Sequence, residues 1–237
     1  MSGLVYAIGD VHGRRDLFDT LLGIIQRDAE ALSSGEAPPT VVLLGDLVDR
    51  GPESYACVER AIALQSEGWC DVVALKGNHE EALLLFLDDI DIGPQWMQHG
   101  GGPTLQSYGL NLASSGLAKG WSGIQTAFRA ALPPEHHAFL SALRLSHVQG
   151  DYVFVHAGVR PGVRLEDQSE QDLLWIREPF LNASEPYPGK VVVHGHTPTV
   201  APELKRARIG VDTGAYASGI LTAVRLRSFE RTILQAR

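Results

Sequence analysis

The most constraining feature of this sequence is a series of short apolar runs, each bounded by turn residues. Such runs are typical of buried strands. Seven occur: Leu4–Ile8, Val41–Leu44, Val72–Leu75, Tyr152–Val155, Val191–Val193, Ile209–Val211 and Leu221–Val224. Helical periodicity lies between the early runs, over Arg14–Leu32, Glu53–Ser66 and Glu80–Leu87. Alternating strands and helices predict an α/β fold, and the closer spacing of the later strands predicts a second sheet packed on the first.

Polar residues stand where these predicted strands end. Asp10, Asp46, Asn78 and His156 follow apolar runs directly or almost directly, and His196 follows a short step after another. In open α/β sheets, ligands bind outside the carboxyl ends of the strands. A single Asp after a strand is more often a turn residue or a helix cap. Five such residues at matching positions predict one shared site.

The stretch 92–145 departs from this alternation. Its helical fragments are interrupted by Gly100–Pro103, Ser114–Gly116 and Pro133–Pro134, and glycine and proline punctuate regular structure. We therefore predict a single domain over residues 1–237. Within it, 92–145 forms a helical insertion over the edge of the sheet that carries the site.

Charge and cysteine content disfavour several classes of protein. The formal net charge is −8, whereas a general nucleic-acid binder usually presents a basic face that neutralises phosphates. Cys57 and Cys70 form neither a metal-binding pair nor a disulfide framework. We see no basic leader and no apolar run near the roughly 18 residues of a membrane span. The sequence predicts a cytoplasmic protein without a nucleic-acid or membrane partner.

Five blocks of sequence carry a family resemblance. They are Gly9–Gly13 (GDVHG), Gly45–Gly51 (GDLVDRG), Gly77–Glu80 (GNHE), His156–Gly158 (HAG) and Gly195–Thr197 (GHT). Together they resemble the phosphoprotein phosphatase family of metallophosphoesterases. Trp175–Glu178 and Val211–Ala215 resemble segments of its small bacterial and lambda-phage-type serine/threonine members. The resemblance implies a calcineurin-like sandwich of two packed mixed β-sheets, flanked by helices and carrying a helical insertion.

The same resemblance implies a site for two divalent metal ions, with Mn²⁺ as the first choice and Fe or Zn²⁺ as alternatives. Asp46 would bridge the ions. The remaining ligands would be Asp10 and His12 on the first ion, and Asn78, His156 and His196 on the second. Carboxylate, imidazole and amide oxygen suit these metals. A hydroxide shared by the metals would attack phosphorus directly and in line.

Further roles follow from the resemblance. His79 would protonate the leaving oxygen, and Asp49 would hold its imidazole in the donating form. Arg50 and Arg177 would bind the substrate phosphate together with Asn78, because a guanidinium suits bidentate phosphate contacts.

Other polar and aromatic residues receive lesser roles. His194 is assigned a packing role or a role behind the ligands. We expect Glu80 to cap or orient locally, and His136–His137 to be an exposed helix start. Trp96 and Tyr108 are interpreted as core residues or as part of the substrate entrance.

The resemblance predicts a metal-dependent phosphomonoester hydrolase that acts on phosphorylated serine, threonine or also tyrosine side chains, or on small phosphorylated molecules. Pro198 favours this branch, because many other metallophosphoesterases carry a further histidine ligand at that place. The alternative is a diadenosine tetraphosphatase or another nucleotide pyrophosphohydrolase of the same fold. A phosphodiesterase and a phosphate-binding pseudoenzyme are less favoured. The sequence does not indicate an oligomeric state.

Overall fold

The computed structural model describes residues 3–32, 37–111 and 120–237. Their strands are β1 (Val5–Ile8), β2 (Thr40–Leu43), β3 (Asp71–Ala74), β4 (Ser146–Gln149), β5 (Tyr152–Val155), β6 (Val191–His194), β7 (Glu203–Leu204), β8 (Arg208–Gly210), β9 (Leu221–Arg227) and β10 (Glu230–Ala236). Their α-helices are α1 (Arg15–Leu32), α2 (Ser54–Leu64), α3 (Asn78–Asp88), α4 (Gly93–Trp96), α5 (Gly102–Ser107), α6 (Gly120–Ala131), α7 (Pro134–Ser141), α8 (Glu170–Trp175) and α9 (Ala215–Ser218). Shorter helical turns span Ile90–Ile92, Met97–Gly101 and Leu165–Asp167.

The strands form two mixed sheets of five strands each, in the orders β10-β9-β1-β2-β3 and β4-β5-β6-β8-β7. In the first sheet β1, β2 and β3 run parallel, with α1 and α2 as the crossovers that parallel neighbours require. In the second sheet β5, β6 and β8 run parallel. This architecture confirms the predicted α/β sandwich of two mixed sheets flanked by helices.

Each of the seven predicted runs overlaps a strand, but β4, β7 and β10 were not predicted. All three lie at the edges of their sheets. An edge strand is not buried on both sides, so its sequence need not be a continuous apolar run. The sequences of β4 (SHVQ) and β10 (ERTILQA) are accordingly polar in part.

The core has separate layers that explain why a central strand such as β1 is apolar throughout. In β1, Val5 and Ala7 face the core between the two sheets, whereas Tyr6 and Ile8 face the core beneath the helices. Side chains alternate between the two faces of a strand. A strand covered on both faces therefore reads as an unbroken apolar run.

The described parts of 92–145 contain α4 to α7, which pack on α2 and α3. The predicted break at Ser114–Gly116 lies outside the described residues. The expectation of an exposed helix start was wrong for His136, because this side chain of α7 is buried. Its Nε2–H donates to Glu59 Oε1 (2.6 Å) and its Nδ1 accepts from the Tyr108 hydroxyl (2.8 Å). With both nitrogens satisfied, the imidazole can be buried.

None of the helices in the described residues is both long and apolar enough to cross a membrane.

Candidate active site

The loops after the parallel strands converge at one end of the two sheets. Asp10 and His12 follow β1; Asp46, Asp49 and Arg50 follow β2; Asn78 and His79 begin α3 after β3; His156 follows β5; and His196 follows β6. All of these side chains except that of Arg50 are buried. They meet at this end because the parallel strands present their carboxyl ends to the same edge.

The backbone around these residues is strained. His12, Asp46, Asp49, Arg50 and His196 have φ values of 46°, 53°, 73°, 67° and 62°. Only one other non-glycine residue of the described chain, Ser228, has a positive φ. This left-handed conformation costs roughly 1–3 kcal/mol at a non-glycine residue. Its concentration here indicates that the surrounding structure holds these side chains in place for function.

Asp46 lies at the centre of the cluster. Its Oδ2 is 3.5 Å from His12 Nε2 and 3.4 Å from His156 Nε2. Two groups of candidate ligands have their donor atoms within 4.8 Å of one another: His12, Asp46 and His79, and Asp46, His156 and His196. Asp46 belongs to both groups, so its carboxylate is placed to contact two cations.

The imidazoles of His12 and His156 are oriented as metal ligands are. His12 Nδ1–H donates to Val48 O (2.8 Å), and His156 Nδ1–H donates to Leu44 O (2.9 Å). A carbonyl only accepts, so in the neutral imidazole each Nε2 carries a lone pair. His12 Nε2 is buried and has no hydrogen-bond partner among the described residues.

The lone pair on His156 Nε2 faces another acceptor. His156 Nε2 and His196 Nδ1 each lie 2.9 Å from Asn78 Oδ1. Burial lowers the pKa of His156 to about 4 and that of His196 to about 2, so both rings are neutral near pH 7. Converging acceptors without a shared proton are stabilised by a cation. The residues therefore fit the divalent metal ions that the sequence predicts.

Asp10 joins the first sheet to the second. Its carboxylate accepts a hydrogen bond from the backbone N–H of His196 (3.0 Å). Gly195 permits this contact, since a Cβ at that position would overlap Asp10 Oδ1. Burial, followed by the nearby Asp212, raises the pKa of Asp10. A bound cation would reverse this effect by favouring the ionised carboxylate.

Asp212 was not assigned a role from the sequence. Its carboxyl group lies close enough to Asp10 for its charge to help raise the pKa of Asp10, and it accepts a hydrogen bond from the backbone N–H of Gly214 (2.8 Å). The available signal was its position after the apolar run Ile209–Val211, which matches that of Asp10 after β1.

His79 differs from the other imidazoles of the cluster because it is paired with a carboxylate outside the ligand groups. Its Nδ1–H donates to Asp49 Oδ2 (2.7 Å). Burial alone would lower the pKa of His79, but the charges of Asp46 and Asp49 outweigh burial and raise it. Its Nε2 lies 3.9 Å from Asp46 Oδ2. The geometry thus allows His79 to bind a metal or to carry a proton.

Asp49 is held by the segment predicted as an insertion. Trp96 Nε1 donates to Asp49 Oδ2 (2.8 Å), and Thr104 Oγ1 donates to Asp49 Oδ1 (2.6 Å). Trp96 therefore does more than pack in the core, since it contacts the partner of His79.

Replacing Trp96 with phenylalanine tests this contact. The variant keeps an aromatic ring beside Phe86 and Phe128 but loses the N–H donor to Asp49. We expect kcat to fall roughly 10-fold, the cost of a hydrogen bond to a charged group, with the metal content unchanged. Trp69→Phe is the matched control, because Trp69 Nε1 donates to an exposed carboxylate, that of Glu67 (2.9 Å). Equal kcat in the two variants would contradict this role of Trp96.

Arg50 and Tyr216 border the cluster. Arg50 Nη2 lies 3.0 Å from His79 Nε2, and its guanidinium stacks over the Tyr216 ring at 4.8 Å. Tyr216 also packs edge-on against His12 at 5.4 Å, and the sequence did not single it out. Arg177 is exposed. It is close enough for its charge to contribute to the lowered pKa of His196.

Glu80 organises the loop that carries Asp46, in agreement with its expected local role. One of its carboxylate oxygens accepts from the backbone N–H groups of Asp46 (2.8 Å) and Gly77 (2.8 Å). The other accepts from those of Leu47 (2.7 Å) and Val48 (3.2 Å). Glu80 is fully buried, and its four hydrogen bonds fix the backbone of this loop. It belongs to neither ligand group.

Glu80→Gln should lower the free energy of unfolding by about 3 kcal/mol. The amide NH₂ would face two backbone donors and leave them without an acceptor, and each buried unsatisfied group costs roughly 1–3 kcal/mol. Urea denaturation measures this change. Glu135→Gln, at the exposed start of α7, should change stability by less than about 0.5 kcal/mol. Equal stability of the two variants would show that the four contacts matter little.

His194 takes the packing role. It is buried edge-on against Phe180 at 4.9 Å, and Arg208 Nη1 donates to its Nε2 (3.2 Å). It belongs to neither ligand group.

With this geometry in place, comparison with known proteins defines the class. The chain belongs to the calcineurin-like phosphoesterase family, whose model matches residues 3–217. It is therefore a metal-dependent hydrolase of phosphoesters, in agreement with the divalent-cation ligand groups around Asp46.

Individual relatives are named either as protein phosphatases or as bis(5'-nucleosyl)-tetraphosphatases. The chain is 28% identical to serine/threonine-protein phosphatase 1 of Salmonella typhimurium, over 94% of this chain and 92% of that protein. It is 24% identical to the asymmetrical bis(5'-nucleosyl)-tetraphosphatase PrpE of Bacillus velezensis, over 97% of this chain and 91% of that protein.

Solved structures show the same fold. A cold-active protein-tyrosine phosphatase of a psychrophilic Shewanella species superposes with a TM-score of 0.59 and 16% identity, over 100% of this chain and 81% of that chain. A protein serine/threonine phosphatase of Saccharomyces cerevisiae superposes with a TM-score of 0.56 and 14% identity, over 100% of this chain and 80% of that chain.

Proposed function

We propose that this protein is a phosphomonoesterase that acts on phosphorylated serine, threonine or tyrosine side chains of proteins. The observation that carries the proposal is the hydrogen-bonded pair of His79 and Asp49. The pair lies beside the ligand groups around Asp46, and Asp49 belongs to neither group. This pair supports a proton donor beside the proposed metal centre, as hydrolysis of an ester with a poor leaving group requires. The likeness to the Salmonella serine/threonine phosphatase supports this substrate class.

We assign the metal ligands as the sequence predicts. Asp10, His12 and Asp46 would hold the first ion, and Asp46, Asn78, His156 and His196 would hold the second. Mn²⁺ is the proposed ion, with Fe or Zn²⁺ as alternatives, because the donors are nitrogen and oxygen without a thiolate. When bound, the two ions supply charge neutralisation at the phosphoryl group and activation of the attacking water.

The side chains around the centre bind the phosphate and move the proton. Arg50 and Arg177 clamp the phosphoryl oxygens, together with the Asn78 amide. Because Arg50 Nη2 and His79 Nε2 are only 3.0 Å apart, a phosphate oxygen at this point contacts both. His79 then donates its Nε2 proton to the leaving oxygen, while Asp49 holds the opposite edge of the ring.

The second candidate is hydrolysis of a bis(5'-nucleosyl)-tetraphosphate, the substrate class in the name of the Bacillus relative. The same ligand set can serve both reactions, since each is an attack on phosphorus. A substrate panel separates them: phosphopeptides, p-nitrophenyl phosphate, diadenosine tetraphosphate and bis-p-nitrophenyl phosphate, each with Mn²⁺ and after chelation.

We expect Mn²⁺-dependent turnover of the phosphopeptides and of p-nitrophenyl phosphate, and little of the diester. Faster turnover of diadenosine tetraphosphate than of every phosphopeptide would favour the second candidate. If none of the four were hydrolysed by a protein that holds two metal ions, the proposed activity would be wrong.

We also propose that the enzyme works in the cytoplasm. Cys57 and Cys70 are both free thiols and both buried, which suits a reducing compartment.

A further inference from the structure

A pocket lies beside His79. It is lined by Asn78, His79, Ala82 and Leu85 of α3 and by Trp96 and Trp175. Its cavity volume is about 80 Å³, below the roughly 300–1,000 Å³ of sites that enclose a whole small molecule, so it can take only one part of a substrate. Among the proposed metal ligands, only Asn78 lines it.

The position of the pocket identifies the part of the substrate that would enter it. His79 is the proposed donor to the leaving oxygen, so the group attached to that oxygen must lie beside the His79 ring. Because the pocket is lined by the same ring, it receives the alcohol or phenol portion of the ester, and the phosphate stays with Arg50 and Asp46.

The walls favour a planar apolar group. Trp175 Nε1–H donates to Glu81 Oε2 (2.6 Å), which holds the indole ring in a fixed orientation at the pocket. Ile92 adds an aliphatic surface from the turn before α4. Aromatic and aliphatic walls of this kind gain most from burying another ring. A serine or threonine side chain would leave most of the space empty.

Charge disfavours a nucleotide leaving group. In a dinucleoside polyphosphate the group beside the scissile bond is another phosphate. The described residues that line the pocket include Glu81, Gln95 and His99 and no lysine or arginine. His79 and Arg50, which lie 3.0 Å apart, are assigned to the scissile phosphate, so a second phosphate in the pocket would face the Glu81 carboxylate.

We propose that this pocket binds the aromatic ring of a phosphotyrosine side chain, so that aryl phosphomonoesters are preferred substrates of the site. The inference rests on the proposed phosphomonoesterase function and narrows its substrate class.

The test fills or trims the pocket and compares two peptides of identical sequence that carry phosphotyrosine or phosphoserine. Ala82→Leu adds apolar volume at the wall without introducing a poor helix former. We expect the ratio of kcat/KM for phosphotyrosine to that for phosphoserine to fall roughly 10-fold or more, the scale on which a pocket discriminates small apolar differences. Leu85→Ala, at a side chain that is 47% exposed and so is not needed for folding, should lower the same ratio several-fold.

Ala127→Leu is the control, because Ala127 is exposed on α6 and does not line the pocket. It should leave the ratio unchanged. A second measurement avoids differences in leaving-group reactivity: benzylphosphonate should inhibit more tightly than ethylphosphonate, and Ala82→Leu should remove most of that difference.

The outcomes separate this inference from the proposed function. If the wild-type protein with Mn²⁺ hydrolyses neither peptide, the proposed function fails. If it hydrolyses either peptide but the ratio of kcat/KM for phosphotyrosine to that for phosphoserine is the same in Ala82→Leu, Leu85→Ala and the wild type, the pocket assignment fails while the function stands. If Ala82→Leu instead slows diadenosine tetraphosphate selectively, the pocket binds a nucleoside and the aryl assignment is overturned.

Discussion

Replacing Asp46 with asparagine will leave the protein folded but unable to hold two metal ions. The asparagine oxygen can keep the bond that Asp46 Oδ1 accepts from the backbone N–H of His79 (3.1 Å). Its NH₂ group then faces the Nε2 atoms of His12 and His156, which lie 3.5 Å and 3.4 Å from the present Oδ2. The amide thus donates where two cations are expected, and the bridging charge is lost.

We expect bound Mn²⁺ to fall from two ions to at most one, and kcat/KM for p-nitrophenyl phosphate to fall about 10³-fold or more. Metal ions supply several kcal/mol of charge stabilisation, and each 1.36 kcal/mol is a factor of ten. Elemental analysis after gel filtration measures the bound Mn²⁺, and steady-state kinetics measures kcat/KM. Asp71→Asn, at an exposed residue of β3, should retain both properties. Two ions and a near-normal rate in Asp46→Asn would refute the bridging role.

His79→Asn should keep both metal ions and lose most of its rate. Asparagine cannot donate a proton to the leaving oxygen, and general acid catalysis contributes roughly 10²–10⁴-fold. The loss should be larger for a phosphoserine peptide than for p-nitrophenyl phosphate, because p-nitrophenol leaves with little help. A substrate-dependent loss of this kind is specific to an acid and is not expected from a general structural defect.

The structure makes this experiment decisive, because His79 also satisfies the distances of a ligand group with His12 and Asp46. The hydrogen bond from His79 to Asp49 favours the role of proton donor, and metal analysis distinguishes this role from that of a metal ligand. If His79→Asn holds only one ion, His79 is a ligand and the proposed division between acid and ligands is wrong. His137→Asn, an exposed histidine of α7, controls for the substitution itself.

Much of the architecture was readable because burial on two faces leaves a clear pattern. The central strands β1 and β5 are apolar throughout, and predicted runs also covered most of β2 and β6. Three of the four edge strands, β4, β7 and β10, were missed, since half-exposed strands such as β10 mix charged and apolar residues. The exposure of His136 was wrongly predicted for a related reason, because its partners, Tyr108 and Glu59, are 28 and 77 residues away along the chain.

The sequence by itself indicated five of the candidate ligands, because a polar residue soon after a buried parallel strand emerges at the carboxyl edge of the sheet. His12 was added by the family resemblance. The sequence also indicated their chemistry, since the side chains offer nitrogen and oxygen and no thiolate.

Only the tertiary structure decided how those residues are held and what surrounds them. Trp96 and Thr104 reach Asp49 from 47 and 55 residues away, Asp212 contacts Asp10 across the two sheets, and Trp175 closes a pocket against α3. Such contacts depend on how distant elements pack. A strand's burial leaves a local pattern in the sequence, whereas the choice of partner for a single buried donor does not.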